Sequence, residues 1–317
     1  MKKSERIVLY YDLNITAKSR SFAAPKSISV KRAFELIQLI PADQRIKELS
    51  KGKELLYISD WNWVENTLSI LVNKSDKAMS DPVFTVPKKK KRRTAEKQED
   101  EGQDFSIHML IKLPENHLEP GLVLIEQCIG LSIFTVQKLF NQLLLDAKKI
   151  SPSDFQQIHP DGSLDSNGNP KNYNVNFGCE FDGHLSDELK DDLNHGKIQT
   201  IELITDKQQY TPFDDDGYIK EKCKTLVLTL KDEGRPIFDK FERISKLISN
   251  KKNDYGHAKI KFKSSTGVDR TVEIDTSEGL AQSYVKKGKL EGFDFDLKSS
   301  YEKFNRPILE KMKALLS

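Results

Sequence analysis

Apolar positions along this chain alternate between two periods. At 6–13, RIVLYYDL groups β-forming residues as a buried strand does. At 30–40, VKRAFELIQLI places Val30, Ala33, Phe34, Ile37 and Ile40 on one helical face, with Ser29 positioned to cap it. Residues 54–73 return to a period of two. Leu56, Ile58, Leu68, Ile70 and Val72 alternate with more polar neighbours around a VENT turn, which predicts a β-hairpin. Trp61 and Trp63 lie two apart and share a face of that hairpin. Hairpin packing and a base-stacking platform both fit the pair.

A second hairpin follows from FSIHMLIKL (105–113) and GLVLIEQC (121–128). Phe105, Ile107, Met109, Ile111 and Leu113 share one face, and His108 takes the other. Glu126, on the partner strand, could share the His108 face, as a structural hydrogen-bonded pair or as acid–base groups. A helix over 131–150 then carries Val136, Leu139, Phe140, Leu143, Ala147 and Ile150 as a stripe, with Ser132 or Thr135 as cap and Pro152 after its end.

The turn-rich segment 159–174 predicts a long loop. Strands are expected at 173–181, 197–205 and 223–231, with a short acidic helix, SDELKDDLN, between the first two. A helix over 235–250 is marked by Ile237, Phe241, Ile244 and Ile248. The strands HAKIKFKS and RTVEID follow, joined by the turn STGVD. A terminal helix near 299–316 would align Tyr301, Phe304, Ile308, Met312 and Leu315. Strands and helices neither alternate strictly nor segregate, so the expected class is α+β, with mostly antiparallel sheets, packed helices and two domains. The first domain is placed at 1–150 and the second at 151–317.

One stretch fits neither period. Residues 87–104, PKKKKRRTAEKQEDEGQD, contain no large apolar residue and read as a disordered charged loop within the first domain. It heads a wider charge asymmetry. Residues 1–150 hold 25 basic and 19 acidic residues, 151–219 hold 4 and 14, and 220–317 hold 22 and 15. The second domain is therefore acidic in its first part and basic in its last. The whole chain of 317 residues still nets only +3.

The exclusions are broad. No apolar run approaches the roughly 18 to 20 residues of a membrane span. The basic start, MKKSERIVLYYDLNI, lacks the apolar core of a secretory signal. Three scattered cysteines (Cys128, Cys179, Cys223) without CxxC point to a reducing cytoplasm. The chain has no phosphate-loop, dinucleotide, HExxH or GxSxG motif, so no catalytic, cofactor-binding or metal residue is assigned. Counted from Asp161, a calcium loop fails at Ser166 and Asn172. Asp214, Asp215 and Asp216, near Lys220 and Lys222, with Glu180 and Glu202 on predicted strands, leave a metal-dependent nuclease as an alternative. A protein-interaction module pairing acidic and basic blocks is another.

The basic groups carry more. Lys88, Lys89, Lys90, Lys91, Arg92 and Arg93 gather six positive charges in one run, which polyanions answer by releasing counterions. The run also fits the loose pattern of a nuclear-localisation cluster. The neighbouring acids Glu96, Glu99, Asp100 and Glu101 could fold back and screen it. Lys259, Lys261 and Lys263 alternate with Ile260 and Phe262, so their ammonium groups share a sheet face about 7 Å apart. Lys251 and Lys252 precede them, and Lys286, Lys287 and Lys289 follow. These residues together are the expected DNA-binding set. A solvated sheet face and a solubilising loop are the plainer readings.

Two segments, LLYISDWNWVENTLSILVNKSDK (55–77) and VDRTVEIDTSEGLAQSYVKKGKL (268–290), with a closing helix in a chain of similar size, resemble the RexA-type family of phage superinfection-exclusion and abortive-infection proteins. The likeness covers roughly half the chain. It implies a cytoplasmic, dimeric, two-domain protein that binds DNA without strong sequence preference during phage defence, with a possible second defence protein as partner. The 88–93 run and the acidic middle have no counterpart in that family.

Overall fold

The structure, a computed structural model, describes residues 2–116, 119–184, 187–205, 224–230, 239–264, 267–276 and 285–316. It is α+β, with antiparallel pairing throughout its main ladders. Two compact units emerge, Met1–Phe181 with Gly288–Ser317, and Asp182–Lys287. The division does not fall at residue 150. The chain beyond 150 first adds a strand beside β1 (Arg6–Lys18), and its last thirty residues return to the same unit.

In the first unit, β1 is followed by α1 (Val30–Gln38), β2 (Ile46–Leu49), β3 (Glu54–Val64), β4 (Thr67–Asp76), β5 (Val83–Val86), β6 (Lys91–Thr94), β7 (Gln103–Lys112) and β8 (Gly121–Glu126). Next come α2 (Ile133–Ile150), β9 (Gln156–Ile158), β10 (Asn172–Asn174) and β11 (Asn176–Gly183). The large sheet runs β11-β1-β8-β7-β4-β3-β2. The Ser29 and Ser132 hydroxyls cap α1 and α2 by accepting from Arg32 and Thr135 N–H. Such caps satisfy amide groups that a helix start leaves unpaired.

The predicted stripes on α1 and α2 are buried, except that Ile150, at the end of α2, is exposed. Phe34 meets Phe140 edge-on at 5.1 Å and Trp61 at 5.8 Å. Trp63 Nε1 donates to Gln38 Oε1. Both tryptophans are thus engaged with α1, as hairpin packing requires and a free stacking platform does not.

The remaining elements are α3 (Asp187–His195), β12 (Lys197–Thr205), β13 (Lys224–Leu228), α4 (Lys240–Lys251), β14 (His257–Lys263), β15 (Asp269–Asp275), β16 (Lys287–Leu290) and α5 (Arg306–Ala314). In the second unit a sheet of order β13-β12-β14-β15 buries Ile201, Leu203, Ala258, Ile260, Phe262, Val272 and Ile274 against Leu189, Leu193, Phe241, Ile244 and Ile248. Helices α3 and α4 therefore cover one face of this sheet. Ile237, Cys223 and Asp214–Asp216 with Lys220 and Lys222 lie outside the described residues.

Two expectations need correction. The terminal helix starts at Arg306, not near 299, with Asn305 as its cap and Pro307 in its first turn. A proline ring clashes with the carbonyl four residues earlier, so it suits a helix start and blocks an upstream extension. Residues 299–305 instead form an irregular strap. Tyr301 N–H donates to Ser106, Phe304 N–H to Asp60, Asn305 N–H to His108, and the Asn73 amide to Tyr301 O. The strap thus partners polar side chains that strands β4 and β7 bury.

The second correction concerns 87–104. Its first part is not a disordered loop: β6 pairs antiparallel with β5, and Pro87–Lys89 form a turn of 3-10 helix between them. The apolar residues that the run lacks are supplied by Val83–Val86 on the other strand.

Candidate nucleic-acid interface

Strands β5 and β6 form a two-stranded sheet of their own. The turn closes with Lys90 N–H donating to Pro87 O at 3.1 Å, and Lys90 itself is left-handed, with φ of 48°. Only a few per cent of non-glycine residues adopt that region. The register pairs Val83 with Thr94, Phe84 with Arg93, Thr85 with Arg92 and Val86 with Lys91. Residues paired across a ladder share a face. Phe84, Val86, Lys91 and Arg93 therefore line one face, and Val83, Thr85, Arg92 and Thr94 the other.

Neither face is covered. Val83, Phe84 and Val86 are 59%, 53% and 50% exposed, and every residue from 83 to 94 is exposed. The Arg93 guanidinium sits 4.8 Å above the Phe84 ring, a cation–π contact. Among the described residues, no acidic side chain pairs with Lys88, Lys89, Lys90, Lys91, Arg92 or Arg93. The nearby acids are partly engaged elsewhere. Asp100 pairs with Lys77 at 3.3 Å, and Glu101 accepts from Gln98 N–H at 2.9 Å. Lys97 reaches back to the Lys77 and Met79 carbonyls, pinning the chain below the hairpin.

The lysine row of β14 has a different setting. Lys259, Lys261 and Lys263 do share the face of the sheet away from α3 and α4, as their spacing predicts. Acids stand among them. Lys259 bonds Glu273 on β15 at 2.8 Å, and Lys261 bonds Glu202 on β12 at 2.6 Å. Lys263 lies opposite Asp269 in the ladder. The Glu273 hydrogen bond raises the Lys259 ammonium above its ordinary range, and the same bond lowers Glu273. This face is a mixed-charge surface, not a bare cationic one.

The other expected residues lie on other elements. Lys251 and Lys252 are exposed at the end of α4, on the helix layer behind the sheet. Lys286 donates its backbone N–H to His184 O, and Lys287 is exposed at the start of β16. Lys289 belongs to the first unit, where Glu291 at 2.7 Å and Glu5 at 3.1 Å compensate it.

Periodicity in the sequence missed Phe84, Val83 and Val86. The available signal was VFTV, a β-branched and aromatic run directly before Pro87. Its partner strand, KRRT, shows no apolar alternation, so no hairpin pattern stands out.

Other clusters are structural. His108 and Glu126 are hydrogen-bonded and fully enclosed in the first unit. Burial raises both the Cys128 and the Cys179 thiol, the latter to about 12. Among the described residues, no three His, Cys, Asp or Glu side chains group as a metal site requires. No described helix is long and apolar enough to cross a membrane. Compared with known proteins, the chain matches no family model, no curated protein and no solved structure.

Proposed function

We propose that this chain is a non-enzymatic, largely sequence-independent DNA-binding protein of anti-phage defence, acting by abortive infection or superinfection exclusion. The observation that carries the DNA-binding half is the β5–β6 hairpin. Six cations follow one another on an exposed element, with no acid paired to them among the described residues. Neutralising a phosphate with such a cation releases condensed counterions, a gain that does not depend on base sequence. Lys259, Lys261 and Lys289 support the reading less, because carboxylates already hold them. The defence half, with the cytoplasmic homodimer and a second defence protein as partner, rests on the resemblance at 55–77 and 268–290.

Fluorescence anisotropy of the full chain with two duplexes of unrelated sequence tests this. Both duplexes bind alike at low salt, and affinity falls by about a hundredfold or more between roughly 50 and 200 mM salt. No binding at low salt, or binding indifferent to salt, overturns the reading.

A further inference from the structure

Resting on that reading, we infer that the β5–β6 hairpin enters the major groove of duplex DNA tip first, with its two faces turned toward the two phosphate walls. Three features of the hairpin point there. The first is size. A sheet with side chains on both faces is about 10 Å thick. The major groove of B-DNA is about 12 Å wide and the minor groove about 6 Å. The hairpin fits the first without deforming the duplex and does not fit the second. Its four-residue strands extend about 13 Å, enough to span a groove about 8.5 Å deep.

The second feature is where the charges sit. Arg92 lies on one face, Lys91 and Arg93 on the opposite face, and Lys88, Lys89 and Lys90 at the turn. A ribbon lying flat on a polyanion uses cations on one face. A ribbon inserted between two phosphate walls uses both. The third is Phe84. It is the hairpin's one aromatic residue, and Arg93 is already stacked over it at 4.8 Å. That contact orients the guanidinium and occupies the ring, which disfavours stacking on an unpaired base. An anionic membrane fits less well, because insertion calls for an apolar tip and this tip is Pro87-Lys88-Lys89-Lys90.

Methylation of a short mixed-sequence duplex tests the inference, because guanine N7 opens to the major groove and adenine N3 to the minor. The full chain protects guanine N7 and leaves adenine N3 reactive. A variant with Lys88, Lys89, Lys90, Lys91, Arg92 and Arg93 all changed to Gln loses that protection and binds at least about tenfold more weakly at roughly 100 mM salt. A second variant with only Lys88→Gln, Lys89→Gln and Lys90→Gln, which leaves both strands unchanged, shows an intermediate loss. Protection of adenine N3 instead, or a six-fold Gln variant that binds as well as the parent, overturns the groove assignment while DNA binding stands. Tighter binding to phosphatidylserine vesicles than to duplex also overturns it, in favour of a membrane surface. If the parent chain binds no duplex at all, the proposed function itself fails.

Discussion

His108 Nδ1 stands 2.5 Å from Glu126 Oε2 across the β7–β8 ladder, with both side chains sealed from solvent. The same carboxylate oxygen accepts the His108 backbone N–H at 2.7 Å. On the far side of the ring, Nε2 accepts Asn305 N–H at 2.9 Å, so the ring hydrogen lies on Nδ1 and is donated to Glu126. Arg6 approaches the other oxygen of Glu126 at 3.4 Å, and its guanidinium also donates to the Glu5 and Lys298 carbonyls. Three strands and the terminal strap are thus joined through one buried carboxylate.

Removing that carboxylate leaves the buried His108 ring and backbone N–H without their acceptor, and takes the countercharge from the buried Arg6, which keeps the Glu5 and Lys298 carbonyls. Breaking one partner out of a buried ionic group destabilises by about 3–5 kcal/mol. Glu126→Ala is expected to fall in that range, and Glu126→Gln, which keeps the shape and one acceptor, to lose less. Urea unfolding of both variants checks the order. Equal stability of Glu126→Ala and the parent contradicts the network's role.

Gly196 links α3 to β12 where two backbone segments converge. A Cβ there would lie 2.2 Å from Asp192 O and 2.3 Å from Lys263 O. Neither carbonyl belongs to a movable side chain. Gly196→Ala therefore forces the end of α3 away from β14 and is expected to destabilise the second unit by about 1–3 kcal/mol. Hydrogen exchange separates the outcome by unit: amides of β12 and β14 exchange faster, and those of β7 and β8 do not change. Unaltered exchange throughout contradicts the close approach.

Much of this architecture was readable as periodicity. The caps Ser29 and Ser132, the buried stripe of α2 and the two faces of β14 all follow from spacing within a dozen residues. What stayed hidden was long-range. Glu202 and Glu273 neutralise Lys259 and Lys261 from other strands, and nothing in KIKFK announces them. The hairpin at 83–94 was hidden for a related reason: its apolar strand and its basic strand make a ribbon only as a pair. At the other end, the stripe Tyr301, Phe304, Ile308 mimicked a helix, while Pro307 and Asn305 marked its true start.

Lys74 holds two carboxylates, Glu54 Oε2 at 2.7 Å and Asp76 Oδ2 at 3.0 Å. The hydrogen bond from Lys74, with one from Ser50, lowers Glu54. Burial pushes Asp76 up, but the bonds from Lys74 and from Ala78 N–H outweigh it and lower it. Burial likewise pushes Lys74 down, and its two carboxylates outweigh that and raise it. Depressed carboxylates add stability that is present above their unfolded values, near pH 4, and lost as pH falls through the folded ones. The raised lysine adds stability that is present below its unfolded value, near pH 10, and lost as pH rises through the folded one. Lys74→Met is thus expected to lower the melting temperature at pH 7, by a difference that shrinks as pH falls below about 4. Parallel curves across that interval contradict the assignment.

Whether the β5–β6 hairpin or the β14 lysine row binds the polyanion is read from the salt dependence of duplex affinity in three chains. Each neutralised phosphate adds about 0.9 to the magnitude of the slope of log affinity against log salt. Changing Lys88–Arg93 to Gln is expected to reduce that magnitude by about 3 to 5, whereas Lys259→Gln with Lys261→Gln changes it by less than about 1. The reverse order, with the hairpin variant keeping the parent's slope and the β14 variant losing it, contradicts the account.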